Sequence, residues 1–254
     1  MDNVITIKNL SVYYQQNLAL DNITLSLPLN VRTAIVGPNG AGKSTLIKSI
    51  LGLVSATSKS VTLFDQPLNK VRRRIAYVPQ SSEVNWNFPT TVFDVVLMGV
   101  SSNRWGFQRV AKEDKANVDQ ALAKMQLTDL KNRQISQLSG GQKQRVFIAR
   151  AIAQNADLYF LDEPLAGVDM KSERIIMDQL MEFQRLGKTS VTVHHDLNTV
   201  PEYFDSVILL NKQLIANGPI ETTFTPENID KAYHGVTTTV QFEADTQGSE
   251  PYAK

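Results

Sequence analysis

The run Gly37-Pro38-Asn39-Gly40-Ala41-Gly42-Lys43-Ser44-Thr45 has the residue types and spacing needed to wrap a chain of phosphates. Its glycines let backbone N–H groups turn inward around an anion, a path that a Cβ would hinder. Lys43 supplies a point charge for the outer phosphates, and the Ser44 hydroxyl is a hard oxygen ligand for Mg²⁺. The apolar run Leu158-Tyr159-Phe160-Leu161 ends in Asp162-Glu163-Pro164. Asp162 at such a strand end can serve as a second metal-side ligand, and Glu163, pointing elsewhere, is free to take a proton from an attacking water. Ser139-Gly140-Gly141-Gln142 precedes a long helical run. Ser139 can cap that helix, and the glycines leave N–H groups open to an anion; taken alone, the segment reads equally well as an ordinary N-cap.

Elements must hold these groups in place. Thr33-Ala34-Ile35-Val36 before the first loop reads as a buried strand, and Leu46, Ile47, Ile50 and Leu51 after it recur at helical spacing. Strand, loop and helix is the context that separates a phosphate loop from a chance glycine-rich turn. Leu158–Leu161 is apolar throughout, as a strand covered on both faces requires, and ligands of open α/β sheets gather beyond the carboxyl ends of the strands.

Elsewhere, alternation at Ile5-Thr6-Ile7, at Leu10, Val12 and Tyr14, and at Ile23, Leu25 and Leu27 predicts N-terminal strands. Further strands are expected at Val61–Phe64, Ile75–Pro79, Ser190–Val193 and Ser206–Leu210, the last paired through Asn211-Lys212 with Leu214–Ala216. Lys171–Leu186 reads as an apolar-periodic helix. From about Ser81 to Ala153 the period becomes helical, with Val92, Val95 and Val96 and then Val118, Leu122 and Met125, which predicts a helical insertion. Arg72-Arg73-Arg74 reads as a solvated edge, and the polar tail after His234 as loosely held.

Composition excludes several classes. Lys+Arg 26 against Asp+Glu 25 leaves a net charge of +1, with no strongly basic surface for nucleic acid. With no cysteine, neither a disulfide framework nor a Cys-based zinc site is available. His194-His195-Asp196 is a poor metal cluster, since adjacent strand residues face opposite ways. No secretory signal and no apolar window of about 18 residues is expected, so work at a membrane would go through a partner. Dependence on a nucleoside triphosphate points inside the cell.

Gly37–Thr45, Val78-Pro79-Gln80, Leu138–Gln142, Leu161–Pro164, Ala166-Gly167-Val168-Asp169 and Val193-His194-His195-Asp196 occur in that order. The ordered set resembles the ATP-binding cassette family over nearly the whole chain. The departures are minor: Ser55–Ser60 lacks the Pro and Gly often found there, and Ala166-Gly167-Val168 replaces the commoner Ser-Ala-Leu.

The resemblance implies an α/β fold: a P-loop NTPase core of RecA-like type with a mainly parallel sheet, an N-terminal antiparallel β subdomain and an inserted helical subdomain. It implies one ATPase domain over about residues 1–235, the core at 1–80 and 154–235 and the helical part at 81–153, with a tail at 236–254. It assigns ATP and Mg²⁺ as cofactors, with ATP bound by Gly37, Pro38, Asn39, Gly40, Ala41, Gly42, Lys43, Ser44 and Thr45. Ser44, Gln80 and Asp162 are the implied Mg²⁺ ligands. Glu163 is the implied general base, and His195 the switch histidine on the γ-phosphate. Asp169 organises the contact between two subunits, and Ser139, Gly140, Gly141 and Gln142 close over the ATP of the other subunit. Tyr14, 29 positions before Lys43, is implied to stack on adenine, with Tyr13 as its competitor on the opposite face.

The implied partners are transmembrane permease subunits, a second copy of the chain in an ATP-dependent homodimer, and an extracellular or periplasmic substrate-binding protein. The implied location is peripheral, on the cytoplasmic face of the membrane. Val84–Gly99 and His194–Leu197 are similar to ATPases of bacterial manganese, zinc and iron importers, with iron-chelate or cobalamin-type importers as the alternative cargo class. A soluble cassette protein acting on nucleic acid or the ribosome is a further alternative. Trp86 and Phe88 can be subdomain core or can line a groove for a short helix of a membrane subunit.

Overall fold

The computed structural model describes residues 3–86, 88–101 and 110–233. Asn87 and the tail from His234 therefore lie outside the described residues. In chain order the elements begin β1 (Asn3–Tyr14), β2 (Asn17–Pro28), β3 (Arg32–Val36), α1 (Lys43–Ile50), β4 (Ser60–Leu63), α2 (Leu68–Val71) and β5 (Ile75–Val78). The helices α3 (Val92–Ser101), α4 (Lys112–Lys124) and α5 (Gly140–Gln154) follow. The chain continues with β6 (Leu158–Leu161), α6 (Met170–Arg185), β7 (Thr189–Val193), α7 (Val200–Tyr203) and β8 (Ser206–Asn211). The described residues end with β9 (Gln213–Pro219), α8 (Ile220–Thr223) and α9 (Pro226–Tyr233).

The central sheet has the order β5-β6-β7-β3-β8-β9, with every pairing parallel except β8–β9. Its inner strands are apolar or small on both faces because both faces are covered. One face meets a smaller sheet, β2-β1-β4, together with Leu46, Ile47 and Ile50 of α1. The other meets α3, α4, α5, α6 and α9 through residues such as Val96, Leu122, Ile148, Ile176 and Ile229. The fold is the α/β type expected, a mainly parallel sheet beside an antiparallel N-terminal one.

Two differences from the sequence pattern have local causes. The separate alternations at Ile5–Ile7 and Leu10–Tyr14 belong to one strand, β1, interrupted by Asn9 in the left-handed region at φ 54°. Asn tolerates that conformation, and its side chain donates to Asn22 Oδ1 at 2.8 Å across the ribbon. Helix α9 has no counterpart in the reading above, because only Ile229 and Ala232 of its residues are buried. Thr225 Oγ1 accepting the Asn228 N–H, followed by Pro226 at the first helical position, is the signal that could have found it. In the helical layer, a Cβ on Gly99 would stand 2.1 Å from the Arg150 carbonyl oxygen. A side chain there would push α3 away from α5.

At the end of the sheet away from the phosphate loop, Asp205 fastens three elements. Its carboxylate accepts Arg32 N–H at 2.9 Å, Arg32 Nη2 at 2.8 Å and Gln184 Nε2 at 2.8 Å. This anchors the start of β3, the strand that carries the phosphate loop, to β8 and α6. Burial alone would raise the Asp205 pKa, but the hydrogen bonds and charge of Arg32, with Gln184, outweigh it and hold the carboxyl below its ordinary 3.8. The folded-state value is thus depressed, so the group adds stability that is complete above the unfolded 3.8 and lost as pH falls through the lower folded value. Urea unfolding of Asp205→Asn between pH 7 and pH 3 should give a lower midpoint at neutral pH and a shallower acid decline than the parent.

Candidate active site

The phosphate loop leaves β3 and enters α1 with Gly42 at φ 93° as the helix N-cap and no side-chain cap. The first-turn amides of α1 are therefore left for an external anion. Two close approaches dictate glycine. A Cβ on Gly37 would lie 2.0 Å from the Leu210 carbonyl oxygen, and one on Gly42 would lie 2.5 Å from Leu20 Cδ2. Lys43, 5% exposed, donates to the carbonyls of Gly37 at 2.8 Å and Pro38 at 2.9 Å. Burial lowers its pKa, while Glu163 and Asp162 oppose that shift.

Because β5, β6, β7 and β3 lie side by side and parallel, the residues just beyond their carboxyl ends share one edge. Gln80 lies beyond β5, Asp162 and Glu163 beyond β6, His195 beyond β7, and Lys43 and Ser44 beyond β3. The contacts join them into a row. Gln80 Nε2 donates to Glu163 Oε2 at 2.7 Å, and His195 Nε2 lies 2.6 Å from Glu163 Oε1. The carboxylate can only accept, so His195 carries its proton on Nε2. Ser44 Oγ donates to Asp162 Oδ1 at 2.7 Å.

Asp162 is fully buried, and among the described residues its Oδ2 has no hydrogen-bond partner. Burial raises its pKa, partly offset by the Ser44 hydrogen bond. The Tyr77 phenol lies close to this carboxylate but outside hydrogen-bond geometry, pushed up by burial and then by the Asp162 and Glu83 charges. Glu163 takes the left-handed conformation at φ 52° immediately before Pro164. That conformation is costly for a non-glycine residue, of order 1–3 kcal/mol, and persists where surrounding contacts hold it. Here it allows consecutive carboxylates to face different partners, Asp162 toward Ser44 and Glu163 toward Gln80 and His195.

The remaining expected site residues lie elsewhere in the chain. Ser139 caps α5 by accepting the Gln142 N–H at 3.3 Å, and Gln142 Oε1 accepts the Ser139 N–H at 3.0 Å, a capping box. Gly141 packs against the Asp169 turn, where a Cβ would lie 2.8 Å from Asp169 Oδ2. Asp169 caps α6 through the Ser172 N–H at 2.9 Å, and hydrogen bonds from Ser172 lower its pKa. Ser139 and Asp169 are both exposed, so this pair forms its own surface. Tyr13 and Tyr14, 58% and 46% exposed, close the β1–β2 hairpin.

The adjacent histidines separate: His194 is buried against Phe204, with Nε2 2.7 Å from Thr199 Oγ1, and burial lowers its pKa to about 4. Trp86 packs edge-on against Phe147 at 5.1 Å, whereas Phe88 is exposed. The sequence reading missed an ion pair between Lys48 of α1 and Glu83, which joins the phosphate-loop helix to the turn after Gln80. No sequence signal links two residues that far apart.

A parallel sheet with a phosphate loop on one strand and an acid pair on a nearby one is the architecture of a P-loop nucleoside triphosphatase. Residues 20–166 match the ABC transporter family. The chain is 52% identical over 227 residues to the manganese transport system ATP-binding protein MntB of Listeria monocytogenes, covering 89% of this chain and 95% of that one. It is 49% identical to the zinc transport system ATP-binding protein TroB of Treponema pallidum, covering 91% and 87% of the two chains. Among solved structures it is similar to the dimeric post-hydrolysis state of the ATP-binding cassette MJ0796 bound to ADP and Pi, with a TM-score of 0.76, 28% identity, and 85% and 98% coverage. The chain belongs to the ABC transporter family, and within it is an ATP-binding, ATP-hydrolysing protein. Replacing Lys43 by Ala removes a charged donor and should weaken binding of an ATP analogue by about 10- to 150-fold, or about 1.5–3 kcal/mol, in titration calorimetry.

Proposed function

We propose that this chain is the ATPase subunit of an importer of a transition metal ion, manganese, zinc or iron. The carrying observation is the row Gln80–Glu163–His195 at the edge that also holds Lys43, Ser44 and Asp162. The cargo rests on the transport systems named for MntB and TroB.

Gly37–Thr45 wrap the phosphates, and Lys43 swings from its loop carbonyls to the outer phosphates. Mg²⁺ fits the donor set at Asp162: a buried carboxylate with a free Oδ2 beside a hydroxyl is costly without a cation and supplies the hard oxygens a divalent ion prefers. Ser44, Asp162 and Gln80 would hold it, and when bound it neutralises charge on the phosphate oxygens. Glu163 accepts the proton of the attacking water. In the structure both its oxygens are engaged, so Gln80 must release Oε2 before water can reach it. His195, placed by its contact with Glu163, turns its Nε2–H to the γ-phosphate.

Ser139–Gln142 and Asp169 form a surface of their own, which suits closure over the ATP of a second copy in a head-to-tail homodimer. Tyr14 stacks on adenine. Exposed Phe88 and Met98 on the helical layer, residues 81–153, suit docking of a membrane permease subunit. Among the described residues no helix is long and apolar enough to cross a membrane, so attachment through permease subunits at the cytoplasmic face accounts for work at a membrane. A substrate-binding protein outside would deliver the ion.

Glu163→Gln should still bind ATP and form the dimer on gel filtration, while turnover falls by about 10²–10⁴-fold, the usual worth of a general base. Undiminished hydrolysis would remove Glu163 from that role. Native cells carrying Glu163→Gln in metal-poor medium should show selective loss of manganese, zinc or iron by elemental analysis. Unchanged metal content would overturn metal import and leave the ATPase assignment intact.

A further inference from the structure

The carboxyl end of β8 touches the phosphate loop from behind and the C-terminal helix at the same time. Val36 pairs with Leu209 across β3 and β8, so Gly37 leaves its strand against the next β8 residue. Its Cα approaches the Leu210 carbonyl so closely that a Cβ would stand 2.0 Å from the oxygen. A register shift in the β8–β9 ladder falls between Leu209 and Leu210, and Lys212 then turns the chain at φ 58°. The turn points its backbone outward on both sides. Lys212 N–H donates to the Ala41 carbonyl at 2.8 Å, inside the phosphate loop, and the Lys212 carbonyl accepts from Asp21 N–H of β2 at 2.7 Å.

Asn211, between these contacts, reaches the other way. Its Nδ2 donates to the carbonyl of Ala232 at 3.0 Å, in the last turn of α9. Ala232 is fully buried, and Asn211 supplies a hydrogen-bond donor to its carbonyl. Tyr233, the next residue, is half-buried and packs against the same core. Loop, turn and helix end are joined without a gap.

We propose that Asn211 is a positioning residue for the phosphate loop, with α9 acting through it and the Lys212 turn to set how firmly residues 37–45 are organised for a nucleoside triphosphate. The C-terminal helix is thereby a control point on ATP affinity. A force on α9, or on the chain that follows it, is transmitted to the loop at Gly37 and Ala41. This rests on the phosphate-loop reading above.

The test uses the full chain, with ATP-analogue affinity by calorimetry and hydrogen exchange of residues 37–45. Wild type must first bind the analogue, since failure there removes the phosphate-loop reading itself. Given binding, Asn211→Ala should raise Kd about fivefold, as for one lost hydrogen bond, and speed exchange at 37–45 in the nucleotide-free chain. Asn211→Asp, which keeps the side-chain shape and replaces the donor by an acceptor, should shift both readouts in the same direction. If both variants leave affinity and loop exchange unchanged, Asn211 only caps α9 and the proposal fails.

Discussion

Everything at the nucleotide edge depends on a buried carboxylate that its own chain only half satisfies. Asp162 has no exposure, and one of its oxygens is held by Ser44 while the other has no hydrogen-bond partner among the described residues. Leaving a charge so placed is unfavourable, and burial accordingly raises its pKa. The fold keeps this group at the end of a strand with apolar side chains on both faces, where it cannot turn to water. A buried, half-satisfied carboxylate is thus a cost built into the protein at the edge that carries the phosphate loop.

The sheet order follows from the same requirement. Gln80, Glu163 and His195 follow three different strands, and only parallel neighbours deliver all three to one edge. Glu163 is then turned away from Asp162 by its left-handed backbone, which keeps adjacent carboxylates from sharing one environment. Its contacts with Gln80 and His195 hold that conformation from both sides. The opposite end of the sheet is tied by Asp205 to Arg32 and Gln184, so the strand carrying the phosphate loop is fixed at its base.

The exposed Ser139 helix start and Asp169 turn stand apart from the row around Glu163. They are packed on each other through Gly141, a contact that a methyl group would disturb. The phosphate loop opens α1 with no side-chain cap, whereas the Ser139 helix start is capped and exposed. The C-terminal helix adds a further connection, from Asn211 to the back of the same loop.

Much of this was legible in consecutive residues. The phosphate loop, the apolar run ending in Asp162-Glu163, the Ser139 cap and the Asn211-Lys212 hairpin are local patterns, and each occupies the expected element. The ordered motifs identified the family because their chemistry is written in short segments. Less local features were not legible. Asn9 hid the continuity of β1, and α9 buries too few residues to show a period. Neighbouring positions already set Asp162 against Glu163 and His194 against His195, but the partners each meets, the Lys48–Glu83 ion pair and the hold of Leu210 and Lys212 on the phosphate loop were decided by the tertiary structure alone. Motif and periodicity are properties of neighbours along the chain. What meets a side chain depends on strands and helices brought together from distant positions.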